Sequence, residues 1–296
     1  MADNKMELIK ELRTRTNSAL VDCKKALEAT GYEIEAAIAW LKENGIVKAA
    51  KKAGRITAEG AVTALGDDKH AILVEINSET DFVAKNDKFI QLLNEVSTAL
   101  FNSKANTLQE GLDVKLANGE TVEQALVNAT AVIGEKISLR RFTRVEAQED
   151  QEDQVLGIYV HANQQVAAVV TVKGNNTEAA RNVAMHVSAM NPEFILVNEI
   201  PADRLDSIKE GFVKPAGFEN KPEKIQISIT EGWLNKQLSE FVLEKQAFVM
   251  EDSLSVAKYL QNHNCELVSA VRYEVGEGIE KVQSNFAEEV AGMVVK

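Results

Sequence analysis

The residues best suited to chemistry lie together in one short stretch, residues 78–86, which reads SETDFVAKN. It places a hydroxyl at Thr80, a carboxylate at Asp81, an aromatic ring at Phe82 and an ammonium group at Lys85. These groups can form hydrogen bonds, pair with charges and insert an apolar ring, which is the chemistry of binding a partner. A structural role stays open as well, because Thr80 or Asp81 would suit a helix cap and Phe82 would suit a core.

Reactive side chains elsewhere form no catalytic pattern. The four histidines are scattered along the chain: His70, His161, His186 and His263. None lies at metal-ligand spacing from another or within a hydrolase signature. We expect His186 to be a core or helix-surface residue. His161, at the tip of a hairpin, is a candidate either for contact with a partner or for an ordinary exposed turn residue. The two cysteines, Cys23 and Cys265, match no paired spacing and are expected to be buried apolar residues.

No phosphate-binding loop is recognisable either, because the glycine pair at 276 and 278 lacks the lysine and Ser/Thr of such a loop. We therefore expect no cofactor, no metal site and no covalent chemistry. The sequence favours a binding protein over an enzyme.

The elements around residues 78–86 are a strand and a helix. Residues 71–76 (AILVEI) are typical of a strand, and residues 88–100 have the apolar spacing of an amphipathic helix. A strand-to-helix junction is held by its scaffold while its side chains remain accessible. The stretch is thus a candidate functional site.

Length and charge narrow the class of protein. A chain of 296 residues predicts about two domains. The net charge of -12 argues against direct nucleic-acid binding, which requires a basic surface. The first residues lack a hydrophobic signal region, and no apolar run reaches the roughly 18 residues of a membrane span. We expect a cytoplasmic protein, or one of an equivalent organelle matrix, with no membrane contact.

The N-terminal 55 residues predict a separate binding module. Residues 6–44 have the apolar spacing of three short helices, a pattern that resembles a ubiquitin-associated fold. Residues 45–55 contain several lysines and lack an apolar stripe, so we expect a basic linker there. Residues 1–55 carry 11 Lys or Arg and 8 Asp or Glu, an excess of about three positive charges.

The rest of the chain predicts a duplicated core of α+β class. A hairpin pattern at 60–76 recurs about 97 residues later, at 157–172, and each copy is followed by a helix and later by an alternating strand. At that offset Thr80 and Asp81 fall on Thr177 and Glu178, so Thr80 has a counterpart as a cap whereas Phe82 has no aromatic counterpart. We expect two antiparallel sheets, each with helices on one face.

We expect the following boundaries: the helical module and linker at 1–55, one core subdomain at 56–146, a second at 147–275, and a C-terminal helix at 276–296. The acidic loop 146–153 would separate the two subdomains. Residues 191–250 interrupt the second subdomain and contain all four prolines. They predict an antiparallel helical hairpin formed by residues 203–213 and 222–245.

Six stretches together carry a family resemblance: LRTRT at 12–16, DCKKAL at 22–27, KAAKKAG at 48–54, TDFVAKN at 80–86, HV at 186–187 and VGEGIEK at 275–281. They resemble the bacterial elongation factor Ts family from the first helix to the last, including the doubled core. The resemblance implies a guanine nucleotide exchange factor that binds elongation factor Tu in its GDP-bound and nucleotide-free states and accelerates GDP release.

The resemblance also implies roles for individual residues. Phe82, with Asp81, would enter the GTPase domain near its Mg²⁺ and phosphate site, and Thr80 and Val83 would complete this contact. Further contacts are implied for the start of the second helix, a hairpin and the terminal helix: Leu20, Val21, Asp22, His161 and Phe286. The alternative from another class is a non-catalytic adaptor or chaperone that binds its partner through the N-terminal helical module.

Overall fold

The computed structural model describes residues 2–16, 18–148 and 153–280, and it confirms the α+β class. The expected C-terminal helix with Phe286, and part of the acidic loop at 149–152, lie outside the described residues. The helices are α1 Ala2–Thr16, α2 Leu20–Ala29, α3 Ile34–Ala50, α4 Asp81–Ala84, α5 Asp87–Asn102, α6 Leu108–Asp113, α7 Val122–Ile133, α8 Thr177–Met190, α9 Ala202–Glu210, α10 Glu223–Leu238 and α11 Val256–Asn262. The strands are β1 Glu59–Gly66, β2 His70–Ser78, β3 Ser138–Glu146, β4 Gln154–Val160, β5 Val166–Lys173, β6 Ala247–Phe248, β7 Glu251–Ser255 and β8 Glu266–Glu274.

The N-terminal helices α1, α2 and α3 enclose a small apolar core that includes Leu12, Cys23 and Leu27. The expectation of a linker from residue 45 is wrong for its first half, because α3 continues to Ala50. This part of α3 packs on α7 so closely that a methyl group at Gly45 would lie 3.2 Å from the Ala131 Cβ. Small residues allow this approach, and their weak hydrophobicity explains why the sequence looked like a linker.

Each core subdomain contains a three-stranded antiparallel sheet, with strand orders β1-β2-β3 and β4-β5-β8. One face of the first sheet packs on α5 and α7, and one face of the second packs on α8 and α11. The opposite faces of the two sheets pack against each other through a third apolar cluster that includes Leu73, Leu156 and Val169. Strand β2 is therefore buried on both faces, an environment that suits its nearly continuous apolar run.

The two copies align at an offset of 96 residues rather than 97. The helix-facing residues of the second strand keep this spacing: Ile72, Val74 and Ile76 in one copy, and Ala168, Val170 and Val172 in the other. An error of one residue would exchange the two faces of a strand. The counterpart of Thr80 is thus Asn176, whose side chain caps α8, and not Thr177. The counterpart of Phe82 is Glu178.

A buried acid connects the two sheets at one end. Glu75 of β2 is fully buried; its Oε1 lies 2.9 Å from Arg140 Nη1 and its Oε2 lies 2.6 Å from Arg141 Nε. Oε1 also accepts a hydrogen bond from the backbone N–H of Gly276, at 2.9 Å. Arg141 additionally pairs with Glu277 at 3.3 Å. Strands β2 and β3 are thereby fixed to the turn that follows β8.

The insertion contains α9 and α10, which pack through a separate apolar cluster that includes Leu205, Ile208 and Leu234. Helix α10 ends at Leu238 rather than at 245, and a short 3-10 turn covers 243–245. The two ends of the insertion meet: the backbone N–H groups of Glu193 and Phe194 donate to Phe241 O at 2.9 and 3.1 Å. A parallel bridge pairs Phe194 with Val242. The insertion is closed at its base.

Helix α8 lies directly on β4 at Gly157, so we expect Gly157→Ala to lower the free energy of unfolding by about 1–3 kcal/mol. The added methyl group would lie 2.1 Å from the Ala180 carbonyl carbon and from the Arg181 amide nitrogen, and α8 would have to move outward. Urea denaturation of the full chain measures the effect.

Gly232→Ala in α10 is the matched control, because no atom beyond the adjoining residues and backbone of its own helix lies within 4 Å of the new methyl group. Alanine favours a helix, so this control is expected to be neutral or stabilising by up to about 1 kcal/mol. Equal urea midpoints for the two variants would contradict the packing interpretation.

Candidate functional site

The motif at 80–86 forms two successive capped turns between β2 and α5. Thr80 is the N-cap of the four-residue helix α4, and its Oγ1 accepts a hydrogen bond from the Val83 N–H at 3.4 Å. Asn86 is the N-cap of α5, and its Oδ1 accepts from the Lys88 N–H at 2.9 Å. Caps of this kind satisfy donors that a helix start leaves unpaired. The backbone that carries Asp81 and Phe82 is thus defined at both ends.

Phe82 points into solvent, with 82% of its surface exposed. Its neighbours differ: Ala84 is buried, and Val83 packs partly against the core under the first sheet. Among the exposed large apolar residues in the described part of the chain, Phe82 is the only aromatic one. A core role for Phe82 is therefore wrong. An exposed aromatic ring on a capped turn is a feature of binding surfaces.

Asp81 and Lys85 form an exposed pair on the same turn, with 2.8 Å between Asp81 Oδ2 and Lys85 Nζ. The hydrogen bond from Lys85 lowers the pKa of Asp81 below its usual value, so the carboxylate is charged at neutral pH. Exposed pairs of this type contribute little to folding stability. Asp81 can accordingly exchange Lys85 for a donor on a partner at small cost.

The other expected contact residues lie on separate elements. Leu20 and Val21 are exposed at the start of α2. Asp22 is partly buried and lies 2.8 Å from Lys48 Nζ of α3, so it also fixes α2 against α3. His161 is exposed in the β4–β5 turn, where its Nδ1 lies 2.8 Å from Asn163 Oδ1. Leu20, His161 and the motif lie on three separate elements, so they would reach a partner as distinct points.

Some exposed apolar residues were not expected from the sequence. Val249 and Met250 lie in the turn between β6 and β7, and Ile46 and Val47 lie on the part of α3 that was expected to be a linker. Each pair forms a short apolar run, as do many buried strands and helices. Sequence alone therefore gave no signal for their exposure, which depends on tertiary packing.

His186, Cys23 and Cys265 have the structural roles that were expected. His186 is buried, with its Nε2 2.9 Å from Gln246 Oε1 and its Nδ1 3.1 Å from the Val249 N. Burial lowers the pKa of His186, which favours the neutral ring. Both cysteines are buried free thiols.

The described residues include no group of three or more His, Cys, Asp or Glu side chains that could hold a metal ion. Within the same ranges, every helix is too short or too polar to cross a membrane.

Comparison with known proteins identifies relatives along the whole chain. A family model described as "Elongation factor TS" matches residues 79–277, from the residue before Thr80 to the turn after β8. Elongation factor Ts of Mycoplasmopsis synoviae (strain 53) is 64% identical over 293 residues, which cover 99% of both chains. Elongation factor Ts of Mycoplasmopsis pulmonis (strain UAB CTIP) is 50% identical over 295 residues, 100% of this chain and 99% of its own. The resemblance of the six sequence stretches is confirmed, and the chain belongs to the elongation factor Ts family.

Proposed function

We propose that this chain, a translation elongation factor by its family, binds elongation factor Tu and accelerates the release of GDP from it. The observation that carries the proposal is the exposed ring of Phe82 on the capped turn α4. The partner is a GTPase, and the factor contributes contacts rather than a chemical step.

Nucleotide exchange imposes a thermodynamic requirement on the factor. The factor must bind the nucleotide-free GTPase more tightly than the GDP-bound form. By reciprocity, bound GDP must then lower the affinity of the GTPase for the factor by the same ratio. Each tenfold of this ratio corresponds to about 1.4 kcal/mol of coupling free energy. The contacts must therefore differ between the two states.

Phe82 is suited to provide such a difference. In the proposed mechanism its ring inserts between helices of the GTPase domain near the Mg²⁺ site. This displaces the groups that bind Mg²⁺ and the phosphates, and GDP then dissociates. Burial of one phenylalanine contributes about 1.5–3 kcal/mol, or roughly one to two factors of ten. Asp81 would fix the approach by accepting a hydrogen bond or pairing with a cation.

Larger coupling requires a wider interface. Leu20, Val21 and Asp22 on the helical module, and His161 on the second sheet, are proposed to provide additional contact points, with Phe286 a further one outside the described residues. Contacts at distant points of a rigid factor would allow it to tilt one part of the GTPase relative to another. The close packing of α3 on α7 at Gly45 and Ala131 supports this arrangement, because it holds the helical module against the core.

Stopped-flow fluorescence tests the proposal. Elongation factor Tu is loaded with fluorescent GDP and mixed with excess unlabelled GDP, with and without this protein at micromolar concentration. We expect a large increase in the GDP dissociation rate. An unchanged rate would overturn the proposal. Binding without acceleration would instead favour the adaptor or chaperone alternative, for which the exposed residues of the helical module would be sufficient.

A further inference from the structure

Two acidic residues, Glu79 and Glu135, connect the start of the motif to the turn between α7 and β3 through hydrogen bonds. The Glu135 carboxylate accepts the Thr80 backbone N–H through Oε2, at 2.9 Å, and the Thr80 hydroxyl through Oε1, at 2.7 Å. In the reverse direction, Glu79 Oε1 accepts the Lys136 backbone N–H at 2.6 Å. Residues 79–80 and 135–136 are therefore connected in both directions.

Glu135 also orients the helix cap. Because the Thr80 hydroxyl donates its hydrogen to Glu135, its lone pairs remain available to accept the Val83 N–H. The carboxylate thus fixes the residue on which the only turn of α4 begins. A helix of four residues is too short to be stable without such support.

The same network reaches the end of the N-terminal module. Both carboxylate oxygens of Glu79 accept from Arg55 Nη1, at 3.2 and 3.0 Å. Lys136 Nζ donates to the carbonyl oxygens of Ala53 and Arg55, at 2.6 and 3.0 Å. The segment that follows α3 is thereby tied to the turn that carries Phe82.

Phe82 itself cannot be positioned by packing, because its ring is almost entirely in solvent. Its location depends on the backbone of α4, and this backbone depends on Thr80. We propose that Glu135 is a positioning residue for nucleotide exchange, which holds α4 so that Phe82 is already oriented when the partner binds. This inference rests on the proposed function. Preorganisation reduces the ordering that binding would otherwise require.

The test compares Glu135→Gln with Glu123→Gln, an exposed acid on α7, in the full-length protein. A glutamine keeps the size of the side chain but replaces one acceptor oxygen with an NH2 group, which would face an N–H or O–H donor of Thr80.

GDP release from elongation factor Tu is measured by stopped flow over a range of factor concentrations. We expect Glu135→Gln to lower the maximal rate about fivefold, or about 1 kcal/mol, as for the loss of one hydrogen bond. The half-saturating concentration should change less than twofold, because the other contact points remain. Glu123→Gln should match the parent.

Repeating the substitution in a Phe82→Ala background separates positioning from general destabilisation. If Glu135 acts through the ring, Glu135→Gln should have no further effect on the maximal rate once the ring is removed. An equal reduction in both backgrounds, or no reduction in the parent, would overturn the inference while leaving the proposed function intact. If Phe82→Ala alone left the rate unchanged, the proposed insertion of the ring near the Mg²⁺ site would be wrong, and this inference would fail with it.

Discussion

Phe82→Ala is expected to reduce the maximal acceleration of GDP release from elongation factor Tu by about one to two orders of magnitude. This range corresponds to the 1.5–3 kcal/mol gained when one phenylalanine is buried. Because the ring is 82% exposed in the free protein, its removal should leave the thermal unfolding curve by circular dichroism unchanged. The double variant Asp81→Ala and Phe82→Ala should lose most of the acceleration and still unfold at the same temperature.

The matched control is Val213→Ala, which removes an apolar side chain with 83% exposure from the segment between α9 and α10. It lies on the insertion and is expected to leave exchange unchanged. If the double variant kept more than half of the acceleration, the disturbance of the Mg²⁺ and phosphate site would have to arise elsewhere in the interface.

Glu75→Gln is expected to destabilise the fold by about 3 kcal/mol and to lower Tm by about 6–12 °C. The substitution leaves Arg140 and Arg141 without their carboxylate at the contact between the sheets and the turn after β8. Removing one partner of a fully buried pair costs about 3–5 kcal/mol. The arginine side chains remain 24% and 31% exposed, so water can solvate them in part and the lower end of that range applies.

Glu193→Gln is the control for this prediction, because Glu193 forms an ion pair with Arg204 that is exposed on both sides. Its Tm should equal that of the parent, since exposed pairs contribute little. Differential scanning calorimetry at neutral pH measures both variants. A change of less than 2 °C for Glu75→Gln would show that the buried carboxylate does not hold the sheets together.

Glu75 also predicts the direction of the pH dependence. Burial raises its pKa, but the N–H of Gly276 and the guanidinium groups of Arg140 and Arg141 outweigh burial and hold the pKa below its usual value of 4.5. A carboxyl group whose pKa is lower in the folded state stabilises the fold above its unfolded pKa, and this contribution is lost as the pH falls through the folded pKa. We expect the difference in Tm between the parent and Glu75→Gln to be constant above about pH 5 and to shrink on further acidification.

Much of the fold follows from local patterns in the sequence. The run at 71–76 predicts a strand, and β2 is that strand. Its burial on both faces was not predicted, because it depends on the second sheet packing against the first. The boundary of α3 was harder to predict, because its continuation past Gly45 depends on a close approach to Ala131, more than eighty residues away. The offset between the copies was wrong by one residue because Thr177 resembles a cap, whereas Asn176 is the residue that caps α8.

The sequence allowed the exposed residues of the candidate site to be selected, but not the residue that holds them in place. Asp81 and Phe82 could be selected because an aromatic residue at this junction has no counterpart in the second copy. Glu135 could not be selected, since it is 55 residues from Thr80 in the chain and resembles any other surface acid. Its role depends on the turn between α7 and β3 returning to the end of β2.

The closed base of the insertion has a consequence for how this chain can be changed. Since Phe194 and Val242 are paired, the two chain ends that enter and leave the α9–α10 hairpin are already adjacent. A replacement segment of different length therefore needs only to connect neighbouring residues, and the entropy of closing such a loop grows slowly with its length. We therefore expect the core to tolerate lengthening or shortening of the α9–α10 hairpin, and also its replacement by a grafted module.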